Sequence, residues 1–402
     1  MEFHALVDPR RAASHRELDA LLRGMPKAEL HLHLDGSLRP ATALELARER
    51  GLDDGLDLAG MRARLAGPAQ PLDQAELLRA FDLPIALLQD AEALRRATTE
   101  LIEDVAADGT RYVEIRWAPA LHVERGLSLR DVIAAVVAGT ADGVAAVERA
   151  RTGRAPAPSG PGADSGTAAD AGRPPVSSPP GTDAGLPAIV VRLIAVAMRS
   201  HDPRANVRVA EEAAAFGGDG LTGFDLAGLE ASYPDPRVHR DAIETARAAG
   251  LGITLHAGEW GGAPQVRRAL ELDPARIAHG APAIDDPSLL DELRARGVTL
   301  DLCPTSNVQA AVVPRLADHP LARLLRAQVP VTLSTDDRTV TDITLVDEYR
   351  SAIDVLGLTP RELWAMNRHA LDVAFLADDE PLRDRLRAAF DAYAAGEPLV
   401  RG

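Results

Sequence analysis

The stretch "KAELHLHLDGSLRP", Lys27 to Pro40, decides how this chain is read. It alternates like a strand, and side chains two apart on a strand leave from the same face. His31 and His33 therefore project together, with Cβ atoms roughly 6–7 Å apart, a spacing that suits two ligands on one ion. Asp35 and Gly36 follow at once, as residues of a turn would. Alone, the pair could equally be a polar strand edge, so its meaning depends on what the rest of the chain brings beside it.

Working outward, strand-like runs recur at Ala28–Leu34, Tyr112–Ala118, Ile189–Met198, Leu221–Ala227, Gly252–His256, Arg276–His279, Val298–Cys303 and Val329–Thr335. Most are short, rich in Leu or β-branched residues, and bounded by Gly or Pro, the pattern of strands buried on both faces. Amphipathic runs such as "DAIETARAAG" and "SLLDELRARG" lie between them, each ending in a glycine suited to a helix C-cap. Strand and helix alternating eight times predict an α/β fold, a (β/α)8 TIM barrel. The competing doubly wound open sheet is weakened because no glycine-rich phosphate loop follows the first strand.

The segment from Thr152 to Gly185 breaks the pattern. It is Pro, Gly, Ala and Ser with little apolar bulk, and cannot bury enough surface to order itself. It reads as a flexible low-complexity insertion (152–185) within a single barrel domain spanning 1–402.

Composition narrows the function. With 402 residues, 46% of them apolar and 26% charged, the chain has the balance of a globular protein with ample core. A net charge of -16 repels polyphosphates, and aromatics at 3% give no stacking platform, so nucleic acid is not an expected partner. The one cysteine, Cys303, rules out an intramolecular disulfide and a Cys-based zinc knuckle. No run has membrane-span length and the N-terminal run has no signal-peptide core, so a cytoplasmic protein without a membrane partner is expected.

In such a barrel, chemistry gathers at the C-terminal ends of the strands. The predicted ends carry His31, His33 and Asp35; Gly228 in "DLAG"; His256 and Glu259 in "LHAGE"; His279 in "AHG"; and Asp336 and Asp337 in "STDD". Three His and one Asp (His31, His33, His256, Asp336) suit a zinc ion that keeps a position for water. Glu259, three residues beyond His256, is placed for proton transfer, and His279 for taking a proton or steadying an oxyanion. Any single histidine is more often an ordinary core or surface residue. His4, His15, His122, His201, His239, His319 and His369 are read that way.

Taken in order, "PKAELHLHLDGSLRP", "RYVEIRWAP", "GFDLAGLE", "LHAGEWGG", "RIAHG", "LCPTSNVQ" and "LSTDDRTV" resemble the signature blocks of the adenosine deaminase family, from about Pro26 to Phe375. The resemblance implies one Zn2+ per chain on His31, His33, His256 and Asp336. It implies Glu259 as proton donor to purine N1, and His279 as the residue that orients and deprotonates the attacking water. Asp337 would bond N7, the Gly228 N–H would bond N3, and His33 and Asp35 would lie near the ribose. Leu77, Leu78 and Phe81 resemble the apolar lid, although the i, i+4 spacing of Leu77 and Phe81 also suits plain packing. The implied reaction is hydrolysis of a 6-aminopurine nucleoside, adenosine or 2′-deoxyadenosine, to the 6-oxopurine and ammonia. The cytidine-type zinc deaminases need cysteines this chain lacks.

Three positions depart from the family pattern: Leu229 after "DLAG", Ser334 before "TDD" and Arg338 after it. Arg338 reads either as an ion-paired loop charge or as a contact for an acidic group on the substrate. The second option would suit aminofutalosine or a nucleoside monophosphate such as N6-substituted AMP, and adenine is a further alternative substrate. A metal-dependent amide or ester hydrolase is disfavoured because no lysine stands at a strand end. A non-catalytic binding protein on the same fold is disfavoured because every expected ligand and acid is present. Oligomeric state leaves no mark on the sequence.

Overall fold

All eight strand-like runs form strands: β1 (Lys27–His33), β2 (Thr110–Trp117), β3 (Val190–Met198), β4 (Leu221–Ala227), β5 (Gly252–Ala257), β6 (Arg276–His279), β7 (Thr299–Leu302) and β8 (Val331–Leu333). The computed structural model describes residues 9–68, 74–153, 186–376 and 379–401. The strands are parallel and neighbour one another in sequence order, and helices join them. A parallel bridge between Leu32 and Asp336 returns the last strand to the first. The Asp336 carbonyl accepts from the His33 N–H at 2.7 Å, and the Asp336 N–H donates to the His31 carbonyl at 3.0 Å. This closure makes the fold a (β/α)8 barrel and excludes the open sheet.

The closing seam contains an irregularity. The β1 register against β2 shifts between Glu29 and Leu32. There the N–H groups of Leu30 and His31 both donate to Ser334 Oγ, at 3.3 and 3.2 Å. Ser334, one of the three unusual positions, therefore repairs backbone hydrogen bonding at the seam, a reason to find a small hydroxyl residue there.

The helices begin and end where their sequences dictate. In Pro287–Arg296, the Asp286 carboxylate accepts from the N–H groups of Ser288 and Leu289, and Gly297 turns the chain out at φ +64°. Its Leu289 and Leu293 are buried in the layer between strands and helices. Leu129–Thr152 stops at Gly153, and residues 154–185, the bulk of the expected insertion, lie outside the described residues. Val190 then pairs with Tyr112, so both flanks of that segment serve one barrel.

The barrel interior is unusually ionic. Arg116 and Arg276 are fully buried inside it. Arg116 Nη1 donates to Asp225 Oδ2 at 2.8 Å and Arg276 Nε donates to Asp301 Oδ2 at 3.0 Å, while Arg276 also pairs with Glu114. Charges taken out of water hold only when each meets an opposite partner, and here they form one alternating column below the strand ends. Among the described residues, no helix is long and apolar enough to cross a membrane.

Candidate active site

The seam between β1 and β8 carries three of the expected ligands and β5 carries the fourth. His31 Nε2 lies 3.3 Å from His33 Nε2, which lies 3.3 Å from His256 Nε2. Asp336 Oδ1 stands 2.9 Å from His31 Nε2 and 3.4 Å from His33 Nε2. A tetrahedral ion with bonds of 2.0–2.1 Å needs donor atoms about 3.3–3.4 Å apart, so these spacings fit one divalent ion. Burial holds the His31 imidazole well below its ordinary pKa and His33 down to about 3, so both offer lone pairs. For Asp336, burial alone would favour the acid, but the facing His31 and His279 overcome it and keep the carboxyl well below the usual range.

Donor atoms of His31, His256, His279 and Asp336 also fall within 4.8 Å of one another, which makes His279 a rival for the fourth place. His33 Nε2 lies nearer the other donors, at 3.3 Å from His31 and His256 and 3.4 Å from Asp336. His279 Nε2 stands 3.8 Å from Asp336 Oδ2 and 3.9 Å from Glu259 Oε1, to one side of the cluster.

Supporting groups orient the ligands. His256 Nδ1 lies 2.8 Å from Asp225 Oδ2, so its N–H faces that carboxylate and Nε2 faces the cluster. Burial would raise the Asp225 pKa, but His256 and Arg116 outweigh it and hold the carboxyl ionised. Ser306 Oγ donates to Asp336 Oδ2 at 2.7 Å, leaving Oδ1 for the ion. Asp225 and Ser306 both sit inside recognised blocks, and only a three-dimensional neighbour reveals their work.

Glu259 leaves β5 through Gly258, which takes φ +82°. Its turn is clamped by Glu230. The buried Glu230 carboxylate accepts from the N–H groups of Gly258 (2.8 Å), Trp260 (2.6 Å) and Gly261 (3.1 Å), on either side of Glu259. Burial, then the charges of Asp336 and Glu230, push the Glu259 carboxyl well above its ordinary pKa. That direction favours the protonated carboxyl, the form able to give a proton. His279 and Asp336 both hold φ values that side chains rarely adopt, +65° and +68°, a strain typical of functional positions.

Asp35 and Asp337 meet beside the cluster. Asp337 rests directly on Gly36, where a Cβ would lie 1.7 Å from its Oδ1. Asp35 Oδ1 and Asp337 Oδ1 are buried with no hydrogen-bond partner among the described residues. Burial pushes Asp35 up to about 6, and burial with the adjacent Asp336 raises Asp337 well above the usual carboxylate range.

His33, Asp35, His256, Glu259, His279, Asp336 and Asp337 open into one cleft. Leu77, Leu78 and Phe81, from the helix Gln74–Leu78 and the turn Arg79–Phe81, line one wall with Gln74 and Ile85. Gly228, Met198 and Val196 line another. Gln74, which the sequence left unremarked, is buried and accepts from the Ala231 N–H at 3.2 Å, tying the lid to the Gly228 loop. No Lys or Arg is among the described lining residues.

Arg338 requires a correction. It does not reach the cleft. Its side chain is largely buried, with Nη1 2.7 Å from Asp108 Oδ2, on the outer side of the seam. The reading of Arg338 as a contact for an acidic substrate group therefore fails, and the ion-pair reading stands. Leu229 does not line the cleft either.

A family model described as Adenosine deaminase matches residues 26–152 and 179–391. An adenosine deaminase of Mycolicibacterium vanbaalenii is 36% identical over 375 residues, 90% of this chain and 93% of that one. Among solved structures, the N6-methyl-AMP deaminase of Arabidopsis thaliana superposes with a TM-score of 0.75 at 27% identity, covering 94% of this chain and all of that one. An adenine deaminase from Arthrobacter aurescens gives 0.74 at 25% identity, covering 92% of this chain and 99% of that one.

Proposed function

The chain belongs to the adenosine deaminase family, and from that premise we infer how its cleft selects and converts a substrate. It is a hydrolytic deaminase of 6-aminopurine nucleosides, turning adenosine or 2′-deoxyadenosine into the 6-oxopurine nucleoside and ammonia. Relatives of similar fold act on N6-methyl-AMP and on adenine, so the choice of a neutral nucleoside needs its own argument. The lining of the cleft supplies it. A phosphate or carboxylate on the substrate would meet no Lys or Arg among the described lining residues to pair with. An uncharged ribose meets no such penalty.

We assign the metal place to His31, His33, His256 and Asp336, with one zinc ion per chain, on the nitrogen-rich donor set and its tetrahedral spacing. Zinc bound there would lower the pKa of a water toward ~7 and so supply hydroxide at neutral pH. The protein's residues do the rest. Glu259, kept as the acid, gives its proton to purine N1, which makes C6 more electrophilic. Asp337, whose burial and neighbour Asp336 favour the protonated form, donates to N7, an acceptor that an ionised carboxylate would repel. The Gly228 N–H meets N3. Asp35 and His33 face the sugar, and Leu77, Leu78 and Phe81 cover the base and keep bulk water out. Oxygen adds at C6, the proton lost by the water goes to the amino group, which leaves as ammonia, and the C6 hydroxyl proton returns to Glu259 as the 6-oxo group forms.

The test is a panel of adenosine, 2′-deoxyadenosine, adenine, AMP, N6-methyl-AMP and aminofutalosine, each assayed for ammonia release by the zinc-loaded enzyme. The two nucleosides should be turned over fastest, and Glu259→Gln should keep zinc while losing most turnover. A preference for AMP or N6-methyl-AMP would overturn the argument from the cation-free cleft.

A further inference from the structure

His279 is supported from behind by a chain of buried groups that the reaction scheme does not use. The Leu321 N–H donates to His319 Nδ1 at 3.2 Å. His319 Nε2 lies 3.0 Å from Asn307 Oδ1, and Asn307 Nδ2 lies 3.1 Å from His279 Nδ1. All three contacts are inside the protein, and His319 and Asn307 are both buried.

One member of this chain has no choice of role, because a backbone N–H can only donate. His319 Nδ1 must therefore be an acceptor, and the proton of the neutral ring sits on Nε2. Burial drives His319 down to about 3, so the ring is neutral. His319 Nε2–H then donates to the Asn307 oxygen. With its oxygen taken, Asn307 turns its amide N–H toward His279 Nδ1. The reverse orientation of Asn307 would set its amide N–H against the His319 Nε2–H, leaving two donors head to head.

We propose that His319 and Asn307 are positioning residues that lock His279 in the tautomer with its proton on Nε2. His279 then presents an N–H, not a lone pair, to the reaction centre. That direction matches its surroundings, since Nε2 lies 3.8 Å from Oδ2 of Asp336, whose carboxyl is held ionised and accepts. The nucleophile is hydroxide, the proton it has lost leaving on ammonia, and Nε2–H orients it and steadies its charge until the C6–O bond has formed. This replaces the expectation that His279 removes a proton from water. It rests on the site assignment above, but its test does not depend on which purine is the substrate.

The experiment reads the tautomer directly. The full-length zinc-loaded enzyme, labelled with 15N-histidine and free of substrate, is examined by long-range proton–nitrogen correlation, with the His279 signals identified by their loss in His279→Gln. The expected result is a protonated Nε2 and an unprotonated Nδ1 on His279. Asn307→Asp, which presents only acceptors, should move the proton to Nδ1 and lower kcat roughly 10–100-fold with zinc content and KM little changed. If that variant does not fold, His319→Phe serves instead: Asn307 is then free to turn, and His279 should show both tautomers with a similar loss of kcat. A His279 protonated on Nδ1 in the unaltered enzyme overturns the proposal, as does a tautomer indifferent to both substitutions.

Discussion

Gly36→Ala would test whether the cleft works through the seat of Asp337. A Cβ on residue 36 would lie 1.7 Å from Asp337 Oδ1, 2.4 Å from Cγ and 2.8 Å from Cβ, where ordinary contact begins at 3.4 Å. The carboxylate must therefore retreat by about 1.7 Å, or the strand exit must yield by as much. Neither backbone is free to give way. The Gly36 carbonyl accepts from the N–H groups of Thr339 and Val340, and the Asp337 carbonyl accepts from Thr341 N–H at 3.0 Å. The side chain of Asp337 takes up the displacement. A misplacement near 1 Å can cost about 100-fold in rate, so kcat/KM for adenosine should fall by ~10² or more. Overpacking should also lower stability by about 1–3 kcal/mol. Zinc should stay bound, because Gly36 faces Asp337 and not the ligands. Ammonia release, zinc content and thermal unfolding would be measured together. A double-variant cycle isolates the cause: Gly36→Ala should add almost nothing to an enzyme that already carries Asp337→Ala. A folded, zinc-loaded Gly36→Ala enzyme with kcat/KM reduced by less than about threefold would refute the reasoning.

Three further outcomes are expected. Arg338→Ala removes the partner of the partly buried Asp108 and should cost about 1.5–3 kcal/mol in urea unfolding, while the ratio of adenosine to AMP turnover stays unchanged; a shift in that ratio would reinstate a substrate contact. Glu230→Ala frees the turn that carries Glu259, so kcat should drop by ~10²-fold with zinc content intact, and wild-type turnover would dismiss Glu230 as a clamp. Burial pushes Lys27 down to about 7, where its Nζ donates to the Met25 and Asp108 carbonyls. Between about pH 7 and the ~10.4 of a free lysine, the unfolded chain holds a proton the folded chain lacks, so stability should rise with pH across that window. Lys27→Met should flatten the rise, and an identical pH slope in both proteins would show that Lys27 does not titrate there.

The strands, their order and the residues at their ends were legible because each is a local pattern: a short apolar run, a punctuating glycine, a polar residue at the exit. His31 and His33 could be paired from spacing alone. His256 and Asp336 came into the set because a barrel brings all strand ends to one rim. What stayed hidden depends on neighbours far apart in sequence. Asp225 orients a ligand on the next strand, Ser306 holds one oxygen of Asp336, and Glu230 reaches across to the turn of Glu259. His319 looked like an ordinary core histidine, and it is one by burial; only the Leu321 N–H behind it and Asn307 ahead of it give its ring a direction. The unusual residues Ser334 and Arg338 invited a reading as specificity changes, whereas their contacts lie in the wall of the barrel.

The seam where β8 returns to β1 has a consequence for how the chain comes apart. The bonds that join these two strands at their ends run through His31, His33 and Asp336, the residues assigned to the ion. The ring's clasp and its reactive centre are thus one object. An ion seated there ties together segments about 300 residues apart in the chain, and shrinks the freedom of the unfolded state as a covalent crosslink would. Chelation should then do more than silence the enzyme. It should loosen the first and last strands in step, with amide exchange rising on both sides of the seam before it rises in β3 or β4.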